Sequence, residues 1–409
     1  MQKIIVIGGG ASGMTAAIIA ARKGADVTIL EQNESPGKKI LSTGNGRCTQ
    51  TNLQIMPDWY RGDDPLFIQE SINHEQLADD LEFFKSLGIM IKCRGDYIYP
   101  LCDQASAVRD ALELELKQLG VTVITGMSVE RIRKGTPYFQ IYCKGKKECY
   151  LADRVILACG SKASQVAGSD GSGYALAESL GHSISPVVPA LTALHAEGKY
   201  FKKLAGIRTG ATVSLYIDNQ YIAGDTGELQ FTDYGISGIP VFQVSRYASK
   251  ALLQRRNVTA RLDLVPTLTK TDFCNEMNRR KERYSHRSAE ECFNSILPSK
   301  LTPVLLNLCG IDRKLWAFKI PEDKWERMLE LCKDFQVTIT SVNDFKKAQV
   351  CAGGVKTNEI HPDTMESRLV KGLYITGELL DVDGICGGYN LHFAWATGML
   401  AGNAAAEEE

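Results

Sequence analysis

Gly8-Gly9-Gly10-Ala11-Ser12-Gly13 is a G-x-G-x-x-G, and an acid, Glu31, closes the apolar run that comes next in the chain. In such a pattern the first glycine permits a tight turn, the second lets the main chain approach a pyrophosphate, and the third lets a helix pack closely on a strand. Gly8, Gly10 and Gly13 fill those three places. A helix starting at Ala11 and Ser12 would offer unbonded N–H groups and the positive end of its dipole to phosphates. Glu31, with Gln32 beside it, can accept the hydrogen bonds of a ribose diol. An acid there favours a free 2′-hydroxyl, so the chemistry indicated is binding of FAD or NAD rather than NADP.

The elements that must position these residues are legible. Lys3–Ile7 (KIIVI) is a β-branched run bounded by glycines and reads as a buried parallel strand. Residues 14–22 (MTAAIIAAR) carry an Ala-rich helical pattern, and Asp26–Leu30 (DVTIL) supplies a second strand ending at Glu31. Residues 35–52 (SPGKKILSTGNGRCTQTN) then read as a loop rich in Gly, Ser, Thr and Asn, with three cations. A plain NAD dehydrogenase would pass from its second strand into another helix. A long polar loop suits FAD instead, because small residues and donors can follow the ribityl chain and phosphates toward the isoalloxazine ring. Lys39, Ser42, Gly44, Gly46, Arg47, Cys48 and Asn52 are the candidate contacts in it.

The segment STGNGRCTQTN resembles the S-G-x-G-R-C-N-x-T-N signature of the BaiN-like flavoproteins, a family that also includes enzymes described as aminoacetone oxidases. Residues 155–174 (VILACGSKASQVAGSDGSGY) resemble its second FAD strand and following loop, which implies cofactor contacts at Ala158, Cys159 and Gly160. Residues 227–246 (GELQFTDYGISGIPVFQVSR) are similar to the family's G-E-L-L-F-T-H-x-G-I-S-G-P segment. Residues 353–402 follow the family's ending throughout, so the resemblance spans essentially the whole chain. Thr49 stands where Asn is usual, Asp233 where His is frequent, Ile239 where Pro is frequent and His392 where Gln is frequent. The last three fall on the expected substrate side and bear on substrate identity rather than on FAD.

Near the C-terminus, residues 373–376 (LYIT) form a strand pattern that runs into Gly377 and Glu378. The stretch Asp383-Gly384-Ile385-Cys386-Gly387-Gly388-Tyr389-Asn390 reads as a tight Gly-rich turn, and residues 391–401 from Leu391 suit a buried helix. The resemblance implies that the start of this helix faces the N1–C2=O edge of the flavin, where a helix N-terminus stabilises the negative charge of the reduced form. It also implies that Asp383 holds ribityl hydroxyls and that main chain at 127–129, Val129 included, meets the adenine. Residues 121–126 read as a further parallel strand, and residues 128–150 as a β-ribbon leading back to 151–160.

The expected fold class is α/β, a Rossmann-like FAD-binding domain of glutathione-reductase-type βαβ with an inserted β-rich subdomain and a helical subdomain. The expected boundaries are 1–188 and 351–409 for the FAD domain and 189–350 for the insertion, helical over about 270–334, which would roof the flavin. Alternating residues 211–217 (ATVSLYI), with 228–231, 258–262 and 337–342, supply its strands. The terminal 404–409 (AAAEEE) reads as a fraying helix end.

Composition bounds the function classes. The chain has 409 residues, 44% hydrophobic and 23% charged, with formal net charge −1. That balance, with no Lys/Arg run longer than three, argues against a nucleic-acid or anionic-membrane partner. No stretch reaches the roughly eighteen apolar residues of a spanning helix, and residues 1–7 run into glycines with no cleavage pattern, so a cytoplasmic protein is expected. The 12 cysteines include no Cys-x-x-Cys pair, so no metal is expected and the thiols read as small packing groups.

No acid–base pair is assigned by the sequence, and the catalytic residues are open. Tyr234, His195 and His392 are candidate proton donors. No second dinucleotide fingerprint exists, so NADH or NADPH would dock transiently over the flavin. The leading expectation is NAD(P)H-dependent reduction of an activated C=C bond of a small molecule, as the resemblance implies. Oxidation of a small amine by oxygen, and a flavin-binding regulatory protein without turnover, are the alternatives.

Overall fold

The computed structural model describes residues 1–72, 74–164 and 168–407. Residues 165–167 of the second flavin motif, and Glu408 and Glu409 of the expected fraying end, lie outside the described residues. The chain divides into two compact units, residues 1–188 with 345–409, and residues 189–344.

The first unit is built on a five-stranded parallel sheet in the order Leu373–Ile375, Arg154–Leu157, Lys3–Ile7, Asp26–Leu30, Thr122–Ile124. Ile4, Ile5 and Val6 of the central strand are fully buried, which explains its uninterrupted apolar text. The first helix, Ala11–Arg22, packs against the last, Tyr389–Ala406. Glycines permit that close approach: a Cβ on Gly398 would lie 2.5 Å from the Ser12 carbonyl oxygen, and one on Gly402 2.5 Å from that of Ala16. The two ends of the sequence are thereby locked together. An antiparallel ribbon, Val129–Lys134, Phe139–Cys143 and Tyr150–Ala152, leads from the fifth strand back to Arg154–Leu157.

Two expectations change in detail. Residues 35–52 are not loop throughout: Lys38–Ser42 forms a short helix and Thr43–Gly46 a 3-10 turn. Gly37, at φ +70°, turns the chain into the helix and Ile40 anchors it in the core, a contact that the polar composition conceals. The C-terminal helix also starts earlier and runs further than 391–401, because Tyr389 is buried and the alanines to Ala406 continue it.

The second unit is a closed antiparallel barrel in the order Leu194–Ala196, Gly235–Gly238, Gln220–Phe231, Arg208–Ile217, Val258–Asp263, Phe335–Val342. Along Arg208–Ile217 the alternate residues Ala211, Val213, Leu215 and Ile217 are buried, as the alternating text requires. Helices Lys270–Arg283, Leu301–Leu308 and Glu322–Lys333 belong to the same unit, where Trp325 is fully buried and its indole N–H donates to Asn278 Oδ1 at 2.8 Å.

Candidate functional site

The glycine turn shows three different reasons for three glycines. At Gly8, φ is +102° and a Cβ would lie 2.5 Å from the Ala158 carbonyl oxygen; at Gly13 it would lie 2.0 Å from the Gly8 carbonyl oxygen. Both positions are closed by the protein itself. A Cβ on Gly10 would meet nothing within 4 Å, so this glycine fronts open space at the start of Ala11–Arg22, where no side chain caps the helix. That combination, an uncapped helix N-terminus with bare backbone before it, is a cradle for an anion.

Glu31 is 6% exposed, and both its oxygens are engaged. Oε2 accepts the Gly9 N–H at 2.7 Å, and Oε1 accepts the main-chain and side-chain N–H groups of Asn33, each at 2.7 Å. The acid assigned from sequence to a ribose therefore also braces the glycine turn. Asn33 escaped the sequence reading; its position two residues after a strand-ending acid was the available signal, since a short amide can fold back on such a carboxylate. Gln32 donates its side-chain N–H to the Gly168 carbonyl. Met127 N–H donates to the Glu31 carbonyl at 2.8 Å, which brings the buried Val129 close behind the same acid.

Residues from four distant segments meet around Glu378. Lys39 forms an ion pair with its carboxylate, and Ser161 Oγ donates to Oε2 at 3.0 Å. Gly377, at φ +64°, leaves room for the Ser12 hydroxyl and donates its N–H to Thr397 Oγ1 at 3.0 Å. Cys159, beside Ala158 and Gly160, directs its thiol at the Ile7 carbonyl at 3.5 Å. Cys48 is fully buried, and burial pushes its thiol up to about 12, so it packs rather than reacts. Ser42, Gly44, Gly46 and Arg47 stand apart from this cluster on an exposed rim.

A second uncapped helix start lies at Gly388, before Tyr389–Ala406. Asn52 Nδ2 donates to the Gly387 carbonyl at 3.1 Å, and a Cβ on Gly388 would lie 2.8 Å from the Thr51 carbonyl oxygen. Asn390 accepts the Gly384 N–H at 2.8 Å and donates to the Gly384 carbonyl at 3.0 Å. Buried Asp383 and its neighbour Gly384 pair with Tyr60–Arg61, and Leu391 is half-buried in the first turn of the helix. Asn52 and Asn390, both expected at the cofactor, are thus seen shaping the turn itself.

The three candidate proton donors separate. In the second unit the His195 and Tyr234 rings stack at 4.3 Å; Asn343 Oδ1 lies 2.9 Å from His195 Nε2, and Asn343 Nδ2 3.5 Å from the Tyr234 hydroxyl. Asn343, just past the strand Phe335–Val342, completes that cluster. His392 belongs to the first unit, is fully buried, and holds its Nδ1 2.7 Å from Asp80 Oδ2. A side chain so enclosed makes its one hydrogen bond inside the protein. Asp80 was missed; it lies four residues before buried Phe84 on helix His74–Ser86, and an acid at a core-facing position was the signal. No group of three or more His, Cys, Asp or Glu suited to a metal ion exists among the described residues, nor does a helix long and apolar enough to cross a membrane.

A parallel sheet with a glycine cradle at its central strand, closed by a C-terminal helix, defines the class of FAD-binding Rossmann flavoenzymes. Residues 2–404 match the family model described as HI0933-like protein Rossmann domain, and the chain belongs to that family of FAD-dependent oxidoreductases. It is 49% identical over 409 residues to a 3-dehydro-bile acid delta(4,6)-reductase of Clostridium scindens, with 100% of both chains covered. It is 28% identical to a ribosomal RNA dihydrouridine synthase of Escherichia coli, over 96% of this chain and 95% of the relative. The fold is similar to that of 3-ketosteroid-delta4-(5alpha)-dehydrogenase from Rhodococcus jostii (TM-score 0.50, 15% identity, 100% and 97% covered). It is also similar to that of a flavocytochrome c3 fumarate reductase (TM-score 0.52, 15% identity, 99% and 78% covered).

Proposed function

We propose that this flavoenzyme uses NADH or NADPH to reduce a C=C bond conjugated to a carbonyl in an apolar, steroid-like molecule. The carrying observation is the full-length 49% identity to a relative named as a bile acid delta(4,6)-reductase. The more distant relative supports the same reaction class. Dihydrouridine is uridine with its 5,6 bond saturated, and that bond is also conjugated to a carbonyl. An amine oxidase has no such support.

The residues present fit FAD. Open space before Gly10 and the uncapped start of Ala11–Arg22 suit its pyrophosphate; Glu31 and Gln32 suit the adenosine ribose, and main chain near Val129 the adenine. Lys39, Ser42, Gly44, Gly46, Arg47 and Asn52 would line the path to the flavin, with Cys48 packed behind them and Ala158, Cys159, Gly160, Gly377, Glu378 and Asp383 facing them. When bound, FAD would supply two-electron redox chemistry, carrying a hydride between a nicotinamide and the β-carbon of the enone. The α-carbon takes a proton, so two hydrogens are added across the bond. The start of Tyr389–Ala406, at Gly387, Gly388, Asn390 and Leu391, would favour negative charge on a flavin held there, and Asn52 and Asn390 brace that turn.

Incubation with NADH or NADPH and a 3-oxo-Δ4 steroid under argon tests this reading by mass spectrometry. A product gaining two hydrogens is expected. An unchanged enone, with peroxide formed from an aminoketone in air, would move the chain to the oxidase reading.

A further inference from the structure

Directly behind the Gly384–Gly388 turn lies a buried polar group that the reaction above does not use. Asp80 and His392 are both fully buried and meet at 2.7 Å. Beyond that one bond, His392 Nε2 and Asp80 Oδ1 have no hydrogen-bond partner among the described residues, and neither has the hydroxyl of Tyr60, whose ring lies 6.4 Å from that of His392. Buried polar atoms are nearly always bonded, to protein or to internal water, because each unmet group costs about 1–3 kcal/mol. Three such atoms around one histidine mark a place built to hold a proton and ordered water rather than a packing site.

The group is attached to the turn from both sides. His392 donates its main-chain N–H to the Gly388 carbonyl at 2.9 Å, and the strand carrying Tyr60 pairs with Gly384. The titratable groups facing His392 are Asp80, with Asp79 beside it, on helix His74–Ser86, Tyr60 on its strand, and Tyr389 on the same helix as His392. With His392 neutral, the buried pair leaves the carboxylate's negative charge near a helix start that has to favour an anion, an unfavourable arrangement in a medium that screens little.

We propose that Asp80 and His392 are a positioning pair that takes up one proton from solvent, on His392 Nε2, when the bound cofactor is reduced. The net charge of the pair goes from −1 to zero as negative charge appears at the turn. Asp80 fixes the ring with Nδ1–H pointing at its carboxylate, and Tyr60 with internal water receives the Nε2 side. This inference rests on FAD lying at that turn.

The test is the midpoint potential of the bound flavin against pH, for the wild type, His392→Gln, Asp80→Asn and Tyr60→Phe. One extra proton per two electrons steepens the line by about 30 mV per pH unit, the two-electron equivalent of a tenfold change. That extra slope is expected in the wild type and absent from H392Q and D80N, with FAD still bound; Y60F shifts where it sets in. A merely structural role would alter affinity or Tm and leave the slopes equal, which overturns the proposal. Nitrogen NMR of the cofactor-free wild type adds a readout independent of the variants' folding. An Nδ1–H tautomer with a strongly downfield proton is expected for His392, and an Nε2–H tautomer contradicts the pair. A protein that binds no FAD overturns the functional reading and this proposal together; FAD bound with equal slopes overturns the proposal alone.

Discussion

The glycine turn of the first unit and the barrel of the second place opposite demands on the sequence. In the turn, function sits in backbone geometry over six residues: Gly8 and Gly13 are closed against Ala158 and Gly8 itself, while Gly10 stands open. In the barrel, six strands spread from Leu194 to Val342 must find one another, and the side chains only have to alternate. The first region is therefore written as a motif and the second as a texture. The difference teaches that a change at the open position of the turn, Gly10, is felt as lost binding, and a change in the barrel as lost stability.

Substitutions can sharpen that contrast. Gly13→Ala is expected to have the largest effect, because its methyl group would be forced to 2.0 Å from a carbonyl oxygen. Both Tm and flavin content should collapse in a purified sample. Leu215→Ala in the barrel, where the side chain is fully buried, should cost about 2–5 kcal/mol by denaturant titration. Flavin affinity should stay within about twofold, and a matching loss of affinity would break the contrast. Gly10→Ala is the converse: its methyl group meets open space, so Tm should hold while FAD affinity falls about tenfold or more by equilibrium titration, a change of about 1.4 kcal/mol. Glu31→Gln keeps the shape but removes a charged acceptor from Gly9 and Asn33, and a loss of about 1–3 kcal/mol in stability is expected together with weaker FAD binding.

The smallest effect concerns pH. Burial raises the Cys48 thiol from 9.0 to about 12, so the folded state keeps its proton while the unfolded chain loses it above 9. The stability contributed is complete below pH 9 and is lost as the pH rises toward 12. Cys48→Ala should therefore flatten part of the decline in stability between those values, and the wild-type thiol should resist alkylation at pH 8.

The same division explains what the sequence disclosed. Lys3–Ile7, the turn and Asp26–Leu30 could be read residue by residue because each is a local requirement of one binding mode. The parallel arrangement of the strands followed from that mode, and the central strand is apolar from Ile4 to Ile7, where it is buried. What stayed hidden depends on partners far away in the chain. Closure of the barrel joins Leu194 to both Ile236 and Val342, which no window of sequence contains. The helix at Lys38–Ser42 was masked by glycines and cations around a single buried isoleucine. Asp80, separated from His392 by 312 positions, gave no cue beyond an acid on the apolar face of a helix.

The measurement that tests the central claim most directly is the visible spectrum of the purified protein without oxygen, before and after NADH or NADPH. An oxidised flavin band that bleaches on adding one of the nicotinamides and returns on adding a 3-oxo-Δ4 steroid is expected. A flavin band that neither nicotinamide changes would contradict the reductase account.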